Sequence, residues 1–208
     1  STLSRVPAVG GACLPRAEPP REVERMVAAV LDSVSQQQVR DAARGAHAAL
    51  GTTRFPDGED ALREYARLLP GHALGFLLGA NARQLDALAA SAGRCGPVGE
   101  PAAPFGLAPA AGQELLQLMQ SLVERPHGLP RGTGLVTRLA DLVARRPGVP
   151  LELALLRLAQ LCYLVHKAAA ALIRQVVQAL RARPHVEQGV WRDPTLLAPF
   201  VREVRRRA

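Results

Sequence analysis

Apolar residues return at helical spacing along most of this chain. Val23, Met26, Val27, Val30 and Leu31 follow the i, i+3, i+4 pattern of one helical face, with Glu22 and Glu24 where a helix N-terminus favours negative charge. Ser35 is placed to cap a second helix, QQQVRDAARGAHAAL, which should stop at Gly51, where glycine can take a positive φ. Asp57 is the expected cap of a third, in which Leu62, Tyr65, Ala66 and Leu69 share a side and Pro70 closes the segment. A short helix, HALGFLLGA, follows. Asn81 then caps ARQLDALAASAG, with Leu85, Leu88 and Ala89 apolar and Gly93 at its end.

Residues 93–112 hold four prolines and five glycines and form the strongest interruption, a linker between two helical subdomains, 21–92 and 113–208. Residues 1–20, with four prolines and no helical spacing, read as an irregular arm. Beyond the linker, Leu115, Leu118, Met119 and Leu122 share one face, and Leu135, Leu139, Leu142 and Val143 another. The most informative stretch is 150–183. There Leu151, Leu155, Leu158, Cys162, Val165, Ala169, Leu172, Val176 and Ala179 alternate steps of four and three, a heptad-like seam. Further leucines and valines widen it, leaving Gln160, Tyr163, Lys167, Arg174, Gln178 and Arg181 as a narrow polar strip. At 1.5 Å per residue this stretch makes a rod of roughly 50 Å, longer than a domain of this size needs for its own core. After Pro184, HVEQGVWRD reads as a link to a last helix capped by Asp193, with Pro194 at its first position and Pro199 as a point of bending.

Composition agrees with the spacing. Of 208 residues 48% are hydrophobic but only 3% aromatic, and Ile173 is the single isoleucine, so residues that favour strands are nearly confined to Val and Thr. The prediction is an all-α fold, an irregular bundle of about seven to nine helices organised by one long, mostly buried helix at 150–183. The apolar content argues against a wholly disordered chain, and no repeat of fixed period is present. Glu152, Arg157, Gln160, His166, Lys167, Arg174 and Gln175 interrupt the long apolar stretch, each costly in a bilayer centre, so no transmembrane insertion is expected.

The formal charge is +8 and unevenly placed. Residues 1–120 carry 11 basic and 12 acidic side chains, whereas 121–208 carry 15 and 6. Lys167 is the only lysine beside abundant Arg, Ala, Gly and Pro, a composition that GC-rich coding produces without any nucleic-acid ligand. The asymmetry suits contact with RNA, DNA, an acidic protein face or anionic lipid and does not rank them. Cys13, Cys95 and Cys162 are odd in number and far apart, which argues against a disulfide framework and for a reducing, intracellular compartment. The start at Ser1 is compatible with a removed presequence, as in a mitochondrial or other organellar protein, or with excision from a longer chain.

Candidate sites are few. Cys162 and His166 stand four apart, but no second Cys/His pair completes a tetrahedral metal site, so no metal is expected. Lys167 as a Schiff-base amine is outweighed by snorkelling to solvent. His47, His72, His127, His166 and His185 sit in unrelated settings, without HExxH, GxSxG or GKS/GKT, so no catalytic residue is assigned. Arg131, Gly132, Thr133 and Gly134 precede a helix and form a weak anion-binding candidate, with a plain helix start as the simpler account. Arg181, Arg183, Arg192, Arg202, Arg205, Arg206 and Arg207 would neutralise phosphates or acidic side chains, reading backbone charge rather than base sequence because no aromatic ladder accompanies them.

The reading that results is a non-enzymatic interaction or scaffold subunit of a larger assembly, such as an organellar ribosome or comparable ribonucleoprotein. Its expected partners are other protein subunits and RNA contacted through its backbone, with no cofactor. The alternative is a helical enzyme or small-molecule carrier with an apolar cavity beside the long helix, using His166 or Lys167 as a polar handle.

Overall fold

A computed structural model describes residues 21–51, 58–80, 84, 109–124 and 134–207. These are all-helical, with eight α-helices and no strand among the described residues. Helix α1 is Arg21–Asp32, α2 Gln36–Ala49, α3 Glu59–Leu78, α4 Pro109–Val123, α5 Leu135–Ala144, α6 Leu151–Arg181, α7 Pro184–Arg192 and α8 Leu197–Arg207, with a 3-10 turn at Pro194–Leu196.

The apolar faces expected of the shorter helices are the ones buried. Val23, Met26, Val27 and Val30 of α1, Leu115, Met119 and Leu122 of α4, and Leu135, Leu139 and Val143 of α5 converge on Ala154, Leu155, Leu158, Ala159 and Cys162 of α6 in one cluster. This cluster takes residues from both sides of the 93–112 segment. Around α6 lie α1, α3, α4 and α5, while α2 packs along α3. Ion pairing closes the rim where Arg157 Nε of α6 lies 2.8 Å from Glu24 Oε1 of α1.

Helix ends follow local chemistry. Ser35 Oγ accepts from Gln38 N and Gln38 Oε1 accepts from Ser35 N, a reciprocal capping box that adds Gln38 to the expected cap. Gly51, just past α2, has φ 64°. The cap of α3 is Gly58, one residue after the expected Asp57, which lies outside the described residues. The arm 1–20 and most of the linker and of the helix expected after Asn81 also lie outside them; Gln84 is helical. Helix α4 already begins at Pro109, within the expected linker, since proline suits the first helical turn.

Four expectations are corrected. First, Pro70 does not end its helix. Helix α3 runs through it to Leu78, joining the two segments expected to be separate, and Pro70 is buried. An interior proline removes one backbone donor and opens the preceding turn, and in that turn the Arg67 carbonyl oxygen lies 2.8 Å from His166 Nε2 of α6. Second, the link HVEQGVWRD is mostly helical as α7, with Pro184 as its first residue. Third, Pro199 sits in the first turn of α8, where its missing N–H has no helical partner to lose, so no bend is required. Fourth, the seam of α6 holds from Leu155 to Cys162 and then fails. Val165 is 54% exposed, whereas Tyr163 and His166, assigned to the polar strip and its margin, are buried. The drift of a straight α-helix against a seven-residue repeat, about 20° per heptad, is too small over this distance to expose Val165; the covered side changes where α3 meets α6 at His166.

Unbroken over 31 residues, α6 is also long and apolar enough, by length and composition alone, to cross a membrane. In the fold its N-terminal half is the centre of the helical cluster.

Helix α3 ends in a reverse turn at Gly79 (φ 89°), where Ala80 N donates to Gly75 O and Gly79 N to Phe76 O. Here the backbone meets Gly134, the residue before α5, so closely that a β-carbon on Gly134 would fall 2.5 Å from Leu78 O and 2.7 Å from Gly79 Cα. Gly134→Ala is therefore expected to push α5 from α3 and destabilise the protein by about 1–3 kcal/mol. Urea unfolding of the variant beside the wild type measures this, and an unchanged midpoint would show that the two backbones do not meet.

Candidate functional site

Two features of the C-terminal third stand out, an apolar cleft and a surplus of arginine. The cleft has a volume of about 420 Å³. Tyr65 and Leu69 of α3 form one wall, and Leu172, Ile173, Val176, Val177 and Leu180 of α6 form its floor. The far side comes from Val190 and Trp191 of α7, Pro194, and Leu197 and Val201 of α8. Arg181 and Glu187 are its charged lining residues. The cleft exists because α6 outruns the cluster that sheathes its first half. Past Cys162 it meets α3, α7 and α8, and none of the described side chains of α7, the 3-10 turn or α8 is fully buried.

Several large apolar side chains remain in solvent in this region. Trp191 is 68% exposed, Leu164 50%, and Leu196 and Leu197 are exposed on the turn into α8. The turn itself is held by Asp193, whose carboxylate accepts from Thr195 N at 3.0 Å and Thr195 Oγ1 at 2.6 Å. Those hydrogen bonds hold the Asp193 carboxyl below its ordinary pKa.

The expected basic residues fall on this same segment. Arg181 ends α6 and lines the cleft; Arg183 precedes α7; Arg192 ends α7 beside Trp191; Arg202 and Arg205 are on α8. All five are exposed. Arg206 is paired with Glu203 through two hydrogen bonds of 2.9 and 2.8 Å. Arg207 is the last residue of α8. Of the weak anion candidate, Arg131, Gly132 and Thr133 lie outside the described residues. Gly134 is buried against Leu78 and Gly79, a packing demand that accounts for glycine at that position.

The handles considered for chemistry are engaged elsewhere. His166 is 3% exposed, although its neighbour Val165, about 100° around α6, is in solvent. Its Nε2–H donates to the Arg67 carbonyl, while Nδ1 is buried without a hydrogen-bond partner among the described residues. Burial is the main cause that lowers its pKa; the charges of Arg67 and Lys167 act the same way, and the hydrogen bond to Arg67 opposes them. Burial also pushes the Cys162 thiol up to about 12, which leaves it neutral and a poor nucleophile or ligand. Lys167 is half-buried with Nζ 5.3 Å from the Tyr163 ring centroid, a cation–π contact. Neither His166 nor Lys167 lines the cleft. No cluster of three metal-ligating side chains occurs among the described residues.

The cleft residues missed in the sequence are those of its far side. Val190 and Trp191 belong to a segment read as a link, and only the proline and aspartate spacing of 184–194 signalled an ordered turn there. Comparison with protein-family models, with curated proteins and with solved structures returns no match to this chain.

The buried imidazole sets a pH dependence. In the unfolded chain a histidine titrates near 6.5, and in the fold His166 titrates below that. Between those two values the unfolded state binds more protons, so stability is greatest above about 6.5 and declines as pH falls through that window. His166→Gln keeps a donor for the Arg67 carbonyl and removes the titration. Denaturant midpoints at pH 7.5 and 5.5 should show a smaller loss on acidification in the variant than in the wild type; equal losses would assign the effect to other groups.

Proposed function

We propose that this protein is a non-catalytic, all-α interaction subunit of a larger assembly, and that its terminal helices α7 and α8 bind a polyanionic partner. The observation that supports this reading is the set Arg183, Arg192, Arg202 and Arg205. All four are exposed, and none of their guanidinium groups makes a hydrogen bond or ion pair among the described residues. From Arg181 to Arg207 the chain carries seven arginines against three carboxylates.

An internal structural role accounts poorly for these groups. Helix α7 has no buried residue, so Arg192 at its end does not snorkel over a core it is needed to cover. Exposed cations without partners repel one another and are relieved by an anionic surface. Regular phosphate spacing or a run of acidic side chains provides one. A guanidinium also offers a planar fork of donors suited to either group. RNA contacted through its phosphates, in a ribonucleoprotein such as an organellar ribosome, is the form of this reading that we favour. The engagement of His166 by a backbone carbonyl, and of Cys162 by the core, supports a binding role over a catalytic one.

Neutralising the four arginines to Gln in the full chain tests the proposal, with binding to single-stranded RNA followed across a salt series. Each phosphate contact contributes about 0.7 to the slope of log affinity against log salt on a single strand, so loss of four should reduce the slope by about three. An unchanged slope, or wild-type binding insensitive to salt, would overturn the assignment. Elution of the native protein with a large particle, against elution near the 22.1 kDa of the chain, separates the subunit reading from that of an autonomous protein.

A further inference from the structure

The cleft beside α6 has properties that polyanion binding does not use, and its geometry points to a ligand of its own: a free single-chain anionic amphiphile, of the long-chain fatty-acid class. The inference goes beyond the reading above and stands without it. Three observations argue for it.

The first is size. Pockets for small ligands span about 300–1,000 Å³, and this one is about 420 Å³. If a methylene fills about the room of one liquid water, roughly 30 Å³, the cleft holds one alkyl chain of about fourteen carbons. The second is wall chemistry. Ile173, Val176, Leu180, Val190 and Val201 present no donor or acceptor. A sugar, nucleotide or peptide backbone placed among them would lose its hydrogen bonds to water without replacement, whereas an alkyl chain loses none.

The third observation is charge. Arg181 stands on the cleft wall with Glu187, and beside the lining in the chain come Arg183, Arg192 and Asp193, so three guanidinium groups face two carboxylates. Because a guanidinium has five N–H donors, a pairing within the protein leaves Arg181 able to accept a further anion. An apolar chain inside and a cationic rim outside complement an amphiphile with a negative head. A cationic head lacks the acceptor that these guanidinium groups would pair with.

Trp191 is the only tryptophan of the chain and lines the cleft, so its emission reports the occupant directly. The experiment titrates the full-length protein with saturated carboxylates from eight to eighteen carbons, each below its critical micelle concentration. Parallel arms use dodecyltrimethylammonium, anionic phospholipid vesicles and an acidic amphipathic peptide. Saturable blue shifts are expected, with affinity rising about four-fold per added methylene and levelling near fourteen carbons. The quaternary amine should bind at least ten-fold more weakly than the carboxylate of equal chain length. Val176→Phe, which fills the floor of the cleft, should abolish the shift while leaving RNA binding and the circular dichroism melt unchanged. Should that variant not fold, calorimetric titration of Trp191→Phe, which keeps an apolar wall, is expected to show the same chain-length dependence.

Absence of a saturable response, or affinity independent of chain length, would overturn the proposal. Equal binding of the quaternary amine would do the same, as would a response confined to vesicles or to the peptide.

Discussion

Burial of the first half of α6, from Ala154 to Cys162, is the contact on which the other helices depend. Its side chains are the meeting point of α1, α4 and α5, none of which exceeds fifteen residues. Helices that short are marginal alone in water, so they are ordered by the surface α6 offers them. Alanine is essential to the arrangement. Ala154 and Ala159 are wholly buried, and their small side chains let neighbouring helices approach while Leu155 and Leu158 fill the space between. The same economy recurs at Gly79 and Gly134, where helix ends touch through backbone alone. With only 3% aromatic residues, the interior is built from close approach of slender helices rather than from large rings.

Because a helix of 31 residues is longer than this cluster, its remainder had to be covered differently. Helix α3 lies across it, and the junction is the pairing of His166 with the Arg67 carbonyl. Pro70 belongs to the same junction. A proline inside a helix costs roughly 3 kcal/mol or more when nothing compensates the opened turn. Here a side chain from the neighbouring helix donates into that turn, and the ring of Pro70 is itself buried. Proline and histidine, separated by almost a hundred residues, thus make one tertiary contact. It also orients α3 so that Tyr65 and Leu69 face the second half of α6 and wall the cleft.

This history explains which features were legible in the sequence. Helical spacing marked the buried faces of α1, α4 and α5 to within a residue, because those faces are set by local periodicity. It also marked the length of α6. Which side of α6 is covered past Cys162 was not legible, since that depends on the angle at which α3 crosses. The result is Val165 in solvent and Tyr163 inside. Pro70 misled for a related reason, as the His166 side chain that meets its turn lies on another helix. At the candidate site the arginines were legible one by one, as was the apolar surplus of Leu172, Ile173, Val176 and Leu180. Their meeting around a cavity was not, because Val190 and Trp191 lie on a nine-residue helix whose pattern is too short to separate from a loop.

The arrangement of α7 and α8 argues for retention on grounds other than stability. A segment that buries no side chain fully contributes little hydrophobic stabilisation, yet ordering each of its residues costs about 1–2 kcal/mol of conformational entropy. A bundle selected for stability alone would close the cleft with larger residues or end α6 at the edge of its core. This one extends the helix, folds the chain back over it through Pro184 and the Asp193 turn, and leaves Trp191 and Leu197 exposed among arginines. Apolar surface beside unpaired positive charge is costly in water, and both costs fall when an anion with an apolar body, or an anionic surface, is bound. The two proposed ligands therefore draw on one physical property of the same end of the molecule. They share Arg183 and Arg192, and differ in that the amphiphile also fills the floor of the cleft whereas the polyanion extends over Arg202 and Arg205.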